Sequence, residues 1–476
     1  MITVAWLLRF LTLLALVLST ALPTGAAVAP VEEFIIDEMS AAGVPGLAYA
    51  VVVDGEINTI DAYGVTKKGG ESVTAETPFQ IGSISKSFTA LAVMQLVEAE
   101  EVDLDSEVSQ YLEHFSGRPA GAITVRQLLS HTSGFSTLQG NTSHADTTGG
   151  RDELALRVDG LAETEPAGHP GERWEYSNAN YQILGRLVEV VSGQDYQTFV
   201  TVNILEPVGM VHSFVADGEA HEEMATGHTP WFGTKRPLSE NTTDRGTAPQ
   251  GGVIASAGDL ALYMQMMMNG EDDVLSAEGK AQMMSPASAA SPYYGFGWYV
   301  DPETSAVWHS GLTPGFEAFA VIYPDTGDAA SVLLNANGGL GFGETADLQN
   351  GVVALSLGRD YGPGGSAWSR ASLFGSLLVA PVIYMAAMVW AWRKREEVRA
   401  KSGAAGLFSL WFPMLTTVVA AWVLMWLTPR LFGTSLSSLA LFQPDLVLVL
   451  VATSLLGVLW AVFRLGVAYT GKSTTA

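Results

Sequence analysis

The stretch SISKSFTALAVMQLVEA, from Ser83 to Ala99, decides how this chain is read. Its apolar residues recur at helical spacing, so a helix is expected with Ser83 at its beginning. Ser83-Ile84-Ser85-Lys86 has the form S-x-x-K, which sets the Ser83 hydroxyl and the Lys86 amine one turn apart on one face. A serine hydroxyl is a poor nucleophile until a neighbour takes its proton. Lysine does so only when neutral, which demands burial or nearby positive charge. By itself the spacing is equally met by an N-cap serine and a solvated lysine, so its surroundings decide.

Upstream, after a short helical stretch near Val31 to Ala42, GLAYAVVVDGEINTIDAYG (46–64) reads as two strands joined at Asp54-Gly55, a strong hairpin signal. The middle, roughly Leu104 to Met268, alternates helical stretches with Gly, Ser, Thr and Asn-rich loops. Strand character returns at Gly297 to Val300, Ala306 to His309, Phe316 to Tyr323 and Ala329 to Leu334, the last two separated by turn residues. Strands at both ends and helices between them predict an α/β (α+β) domain. Its antiparallel sheet is built from both ends of the segment, flanked by helices, with a mainly helical subdomain.

Two further groups give the S-x-x-K spacing its meaning. Tyr176-Ser177-Asn178 offers a phenol and an amide just ahead of an apolar helical run. A tyrosine beside a lysine can share its proton and act as acid or base, and Asn178 can hold a substrate carbonyl or the lysine. His309-Ser310-Gly311 stands at the end of an expected strand, where glycine lets a substrate backbone approach and a main-chain N–H point at a developing oxyanion.

Taken together and in this order, these elements resemble the serine beta-lactamase and penicillin-binding protein superfamily, most of all its class C branch with its D-alanyl-D-alanine carboxypeptidases and esterases. The resemblance extends over about Val31 to Asn337 through blocks such as FQIGSISKSFTALAVMQLVEAEEVDLDSEVSQYL, ITVRQLLSHTSGF, PGERWEYSNANYQILG, APQGGVIASAGDLALYM and WHSGLTPGF. It implies that Ser83 is acylated, that Lys86 and Tyr176 pass its proton to the leaving group, and that the N–H groups of Ser83 and Leu312 form the oxyanion hole. His309, Ser310 and Gly311 then take the place of the K-T-G or H-T-G triplet that positions substrate, with Asn178 beside them. Many lactamases of that family carry lysine where this chain has His309, which leans the substrate toward peptides and esters. A penicillin or cell-wall-fragment sensor that is acylated without turnover, or a true beta-lactamase, are the alternatives. No cofactor and no metal are implied.

The remaining sequence sets the location. MITVAWLLRFLTLLALVLSTALPTGAAVAP (1–30) carries Arg9, an apolar run and small residues at Ala27 and Ala29. It reads as a secretory signal cleaved near Ala29, or else as an uncleaved anchor. Three uncharged apolar runs at 371–392, 407–427 and 446–463 are each about the length a bilayer core requires. RKREEVRAK (393–401) carries five basic residues, so this connection is expected in the cytoplasm, with everything before Ala371 outside. The expected organisation is a signal peptide at 1–29, a hydrolase domain at 30–357, a linker at 358–370 and a membrane region at 371–476.

Between Pro30 and Arg370 stand 15 basic and 46 acidic residues, a formal charge near −31. Such a surface repels nucleic acid and suits a saline medium. The expected partners are therefore a small peptide, ester or lactam substrate and membrane lipid; oligomeric state is left open. The chain has no cysteine, hence no disulfide or thiolate nucleophile. His221-Glu222-Glu223-Met224-Ala225 lacks the second histidine of a zinc motif, and Ser83 lies in no G-x-S-x-G elbow. His131 and Ser133 read as a hydrogen-bonded turn near the site.

Overall fold

Asp54 and Gly55 both take positive φ, 51° and 80°, the twist that a two-residue hairpin loop requires. The computed structural model describes residues 31–142, 150–339, 344–362 and 367–470, so the expected signal peptide lies outside the described residues. The hairpin joins β1 (Gly46–Val53) to β2 (Glu56–Gly64). The later strands are β3 (Tyr299–Val300), β4 (Val307–Thr313), β5 (Phe316–Tyr323) and β6 (Asp328–Leu334). They form one antiparallel sheet in the order β2-β1-β6-β5-β4-β3. Leu47 pairs with Leu334 and Val52 with Ala329, so the two ends of the domain close on each other at the centre of the sheet.

The apolar run in β1 shows no polar alternation because both of its faces are covered. Leu47, Tyr49 and Val51 face one hydrophobic cluster, with residues of α1 (Val31–Ala42) beneath them. Ala48, Ala50 and Val52 face the larger cluster on the opposite side. That larger cluster contains α2 (Ser85–Glu98), α3 (Asn178–Ser192) and α4 (Ala257–Met268). Helix α4 packs on β1 and β6, burying Met264, Met266 and Met267. Each wholly buried apolar side chain of this kind contributes about 1.5–3 kcal/mol. Helix α5 (Glu344–Ser356) returns to pack beside α1, giving helix, sheet and helical layers.

Among the described residues three helices are long and apolar enough to cross a membrane: Phe374–Arg393, Gly403–Leu431 and Pro444–Tyr469. The first is part of α6 (Ala367–Arg393), the second begins as α7 (Gly403–Trp422), and the third is α9 (Pro444–Tyr469), with α8 (Leu436–Phe442) between the last two. All three outrun the expected spans. Thus α6 takes up the end of the expected linker, and α9 takes in Asp445 at its start and Arg464 past the expected end. Arg464 donates to the Ser409 carbonyl of α7, which meets its charge with a polar group where helix continuity would otherwise bury it alone. The basic connection touches the far end of α9, where Arg399 Nε donates to the Val467 carbonyl. The other connection lies against the sheet domain at the near end, where Gln443 Nε2 donates to the Gly338 carbonyl and the Phe232 N–H to Asp445.

Candidate active site

A short strand at Phe79–Gln80 pairs with Val253–Ala255, and the Ile81 N–H continues the pairing to the Val253 carbonyl at 3.2 Å. The chain then turns through one 3₁₀ turn, Gly82–Ile84, into α2. The turn leaves Ser83 half-buried at the cleft, while Lys86, one turn on, is wholly buried. Lys86 Nζ donates to Ser83 Oγ at 3.0 Å and to the Gln250 carbonyl at 2.7 Å. Tyr176 O–H donates to the same Ser83 Oγ at 2.9 Å. The structure thus brings Ser83, Lys86 and Tyr176 to one oxygen, and adds Gln250. No local pattern pointed to Gln250, because only its main-chain carbonyl takes part.

Burial pushes the Lys86 amine well below the ordinary lysine range, and among the described residues no carboxylate pairs with it to restore the ammonium. Burial pushes the Tyr176 phenol well above its ordinary value, helped by Tyr299 and opposed by the bond to Ser83. Desolvation penalises the charged form of each, so it works against an ammonium on Lys86 and a phenolate on Tyr176.

The loop before α3 is held from below by His131, which is buried and has φ of 57°. Its Nδ1 accepts the Ser177 N–H at 3.1 Å, so the neutral ring carries its proton on Nε2, and it lies 2.9 Å from Asn180 Nδ2. Burial, Lys86 and His309 hold its pKa well below the usual histidine value. Ser133 Oγ donates to Asn180 Oδ1 at 2.6 Å, in keeping with the hydrogen-bonded turn. Thr137 Oγ1 donates to the Tyr176 carbonyl at 2.6 Å. Asn178, the first residue of α3, lines the cleft and donates through Nδ2 to Asn141 Oδ1 at 2.7 Å.

On β4, side chains alternate between the faces of the sheet, and the expected triplet is split accordingly. His309 points inward, buried, with Nε2 at 3.3 Å from the Tyr294 hydroxyl. Its pKa falls to about 3, through burial first and Lys86 second, so the ring stays neutral. Ser310 is exposed and points the other way. The alternation of the strand could have given this in advance. Gly311 and Gly82 let β4 and the 3₁₀ turn meet backbone to backbone: a Cβ at Gly82 would lie 2.4 Å from the Leu312 nitrogen, and one at Gly311 1.9 Å from the Ile81 carbonyl oxygen. This contact brings the Leu312 nitrogen beside the turn that carries Ser83.

Ser83 opens onto a cavity of about 290 Å³ lined also by Asn178, Leu312 and Asp244. Leu441 and Phe442, from the connection between the second and third apolar helices, complete its wall. Nothing in their local sequence marks them, since they stand between two long apolar helices.

A sheet closed by both ends of its domain, with a helical subdomain beside it and a cleft between, defines the serine beta-lactamase and penicillin-binding class of serine hydrolase folds. The family model described as Beta-lactamase matches residues 31–354, and the chain belongs to that family. It is 32% identical over 330 residues to penicillin-binding protein 4 of Amycolatopsis lactamdurans, covering 64% of this chain and 84% of that one. Protein flp of Staphylococcus aureus (strain MRSA252) is 27% identical over 317 residues, 64% of this chain and 62% of its own length. Among solved structures, the octameric penicillin-binding protein homologue from Pyrococcus abyssi superposes with a TM-score of 0.59 at 26% identity, over 70% of this chain and 78% of that one.

Proposed function

We propose that this chain is a membrane-anchored serine hydrolase, its hydrolase domain on the extracytoplasmic side, working through an acyl-enzyme on Ser83. The observation that carries the reading is the convergence of Lys86 Nζ and Tyr176 O–H on Ser83 Oγ, with Lys86 wholly buried.

Ser83 Oγ attacks the substrate carbonyl while its proton passes to the lone pair of Lys86. The carbonyl electron pair moves onto the oxygen, which the N–H groups of Ser83 and Leu312 receive. The proton then travels from Lys86 through the Tyr176 hydroxyl, which gives its own proton to the leaving oxygen or nitrogen and takes one back. The bond to the leaving group breaks, and the alcohol or amine departs. Water next attacks the acyl carbon, its proton follows the same relay to Ser83, and a carboxylic acid leaves.

The acyl donor in this reading is an ester or a peptide-type amide of the cell envelope. Neutral His309 supports this choice, because it offers no fixed cation to a substrate carboxylate. The basic connection 393–401 supports a cytoplasmic position for that end of the spans, with residues 1–29 as the export signal. Intact-mass spectrometry and product counting on the full chain, offered D-Ala-D-Ala peptides, short-chain esters and a cephalosporin side by side, test the proposal. Many product molecules per chain from an ester or peptide are expected. A single stable adduct without turnover would indicate a sensor and overturn hydrolysis.

A further inference from the structure

The connection between the second and third apolar helices does more than join them. Ser435 caps α8 through the Ser438 N–H, so residues 436–442 form a defined helical turn. Three ties seat it on the hydrolase domain. Asn141 Nδ2 donates to the Gly433 carbonyl at 2.9 Å, Ser438 Oγ donates to the Asn141 carbonyl at 3.1 Å, and Gln443 Nε2 donates to the Gly338 carbonyl at 2.8 Å. Asn141 is also the acceptor for Asn178, so the seat of α8 and the floor of the cleft share one residue. At the end of α8, Leu441 and Phe442 enter the same cavity as Ser83 and Leu312.

The chemistry of that cavity is specific. Among its described lining residues the charged ones are Glu240 and Asp244, both acidic, and none is basic. Asp244 is engaged by Arg157 at 3.1 Å. An anionic substrate group would meet carboxylates there, whereas an uncharged apolar one would meet Leu238, Ile254, Leu441 and Phe442. A second hairpin, in which His228–Trp231 pairs with Thr234–Pro237, carries Trp231 and Phe232 toward the first apolar helix, with the Phe232 and Phe374 rings 6.0 Å apart. Phe442 in the cavity wall stands two residues before α9, so the chain passes directly from the cavity into the third apolar helix, and aromatic rings such as Trp231 and Phe232 favour a bilayer surface.

We infer that Leu441 and Phe442 are specificity-determining residues, and that the substrate class they select is an uncharged ester or amide with an apolar acyl chain, received at the membrane side of the Ser83 cavity. The inference rests on the reading of Ser83 as nucleophile. It makes the membrane region part of the site rather than an anchor alone. A missing apolar contact in a pocket typically changes discrimination by about tenfold or more.

The test uses the full chain in detergent micelles and compares p-nitrophenyl octanoate with p-nitrophenyl acetate as kcat/KM. The wild type is expected to prefer octanoate. The paired change Leu441→Ala with Phe442→Ala is expected to lower the octanoate-to-acetate ratio about tenfold. Leu441→Trp, at a position open enough to accept the ring, narrows the cavity and is expected to lower the same ratio. An unchanged ratio in either folded variant overturns the inference while leaving the nucleophile in place. Absence of fluorophosphonate labelling at Ser83 in the wild type overturns the catalytic reading and this inference with it.

Discussion

Gly311→Ala probes the contact on which the proposed oxyanion hole depends. The added Cβ would stand 1.9 Å from the Ile81 carbonyl oxygen and 2.7 Å from its carbon, where ordinary contact begins at 3.4 Å. Both obstacles are backbone, so no side chain can swing aside. Strand β4 and the 3₁₀ turn must part by about 1.5 Å to restore ordinary contact. Gly311 does not take positive φ, so the change acts through volume rather than backbone strain. Overpacking of this sort costs about 1–3 kcal/mol, which a stable domain survives. The larger effect falls on chemistry, since the Leu312 N–H moves away from Ser83. Losing one such donor costs about 10²–10³ in rate, and a 1 Å misplacement alone about 10². Stopped-flow acylation by a chromogenic ester is therefore expected to slow by roughly 10² or more, with substrate affinity little changed. Gly160→Ala, on an exposed helix position with no atom within 4 Å of the new Cβ, serves as the control and is expected to acylate normally. Acylation by Gly311→Ala within about threefold of wild type would refute the assignment of Leu312 N–H to the hole.

Other perturbations separate the groups around Ser83 and the forces on the domain. Lys86→Ala is expected to lower acylation by about 10²–10⁴ and Tyr176→Phe to remove the relay with a loss of comparable order, measured as single-turnover rates; near-normal rates in both would remove the proposed proton route. Because burial lowers the Lys86 pKa, activity is expected to rise with pH as that amine loses its proton, and Lys86→Ala should abolish this limb of the pH–rate profile. His309 has a folded pKa of about 3, below the ordinary value of about 6.5. The unfolded chain therefore takes up the proton first, and stability is full above the ordinary value and falls as pH drops toward the folded one. At about pH 4.5 this amounts to roughly 2.5 kcal/mol, which thermal melts of wild type and His309→Asn at two pH values measure as a difference. With its net charge near −31, the region 30–370 is expected to melt higher as salt shortens the screening length from about 10 Å to about 3 Å; a salt-independent melt would argue against self-repulsion.

The fold was legible where local chemistry and burial agree. Asp54-Gly55 announced its hairpin because only a few residues accept two positive φ angles in succession. The apolar run of β1 announced a central strand because both faces are buried. The S-x-x-K spacing was legible because side-chain direction follows from the helix period, and the inward face of His309 could have been read from the strand period in the same way. Ser310, one residue further on, faces away from His309, as the same period gives. The titration behaviour of Lys86 and Tyr176 was out of reach, because it depends on how completely a distant chain segment covers them. Gln250 acts through its carbonyl, and every residue has one. Leu441 and Phe442 were hidden by their setting between two apolar helices, where anchoring alone accounted for the sequence.

The central claim is that Ser83 is the atom acylated. Full-length chain in micelles is treated with a fluorophosphonate, digested, and the labelled peptide located by mass spectrometry, beside Ser83→Ala treated in the same way. One adduct per chain, on Ser83, absent from the variant, is the expected result; an adduct on any other residue, or labelling that persists in Ser83→Ala, contradicts the account.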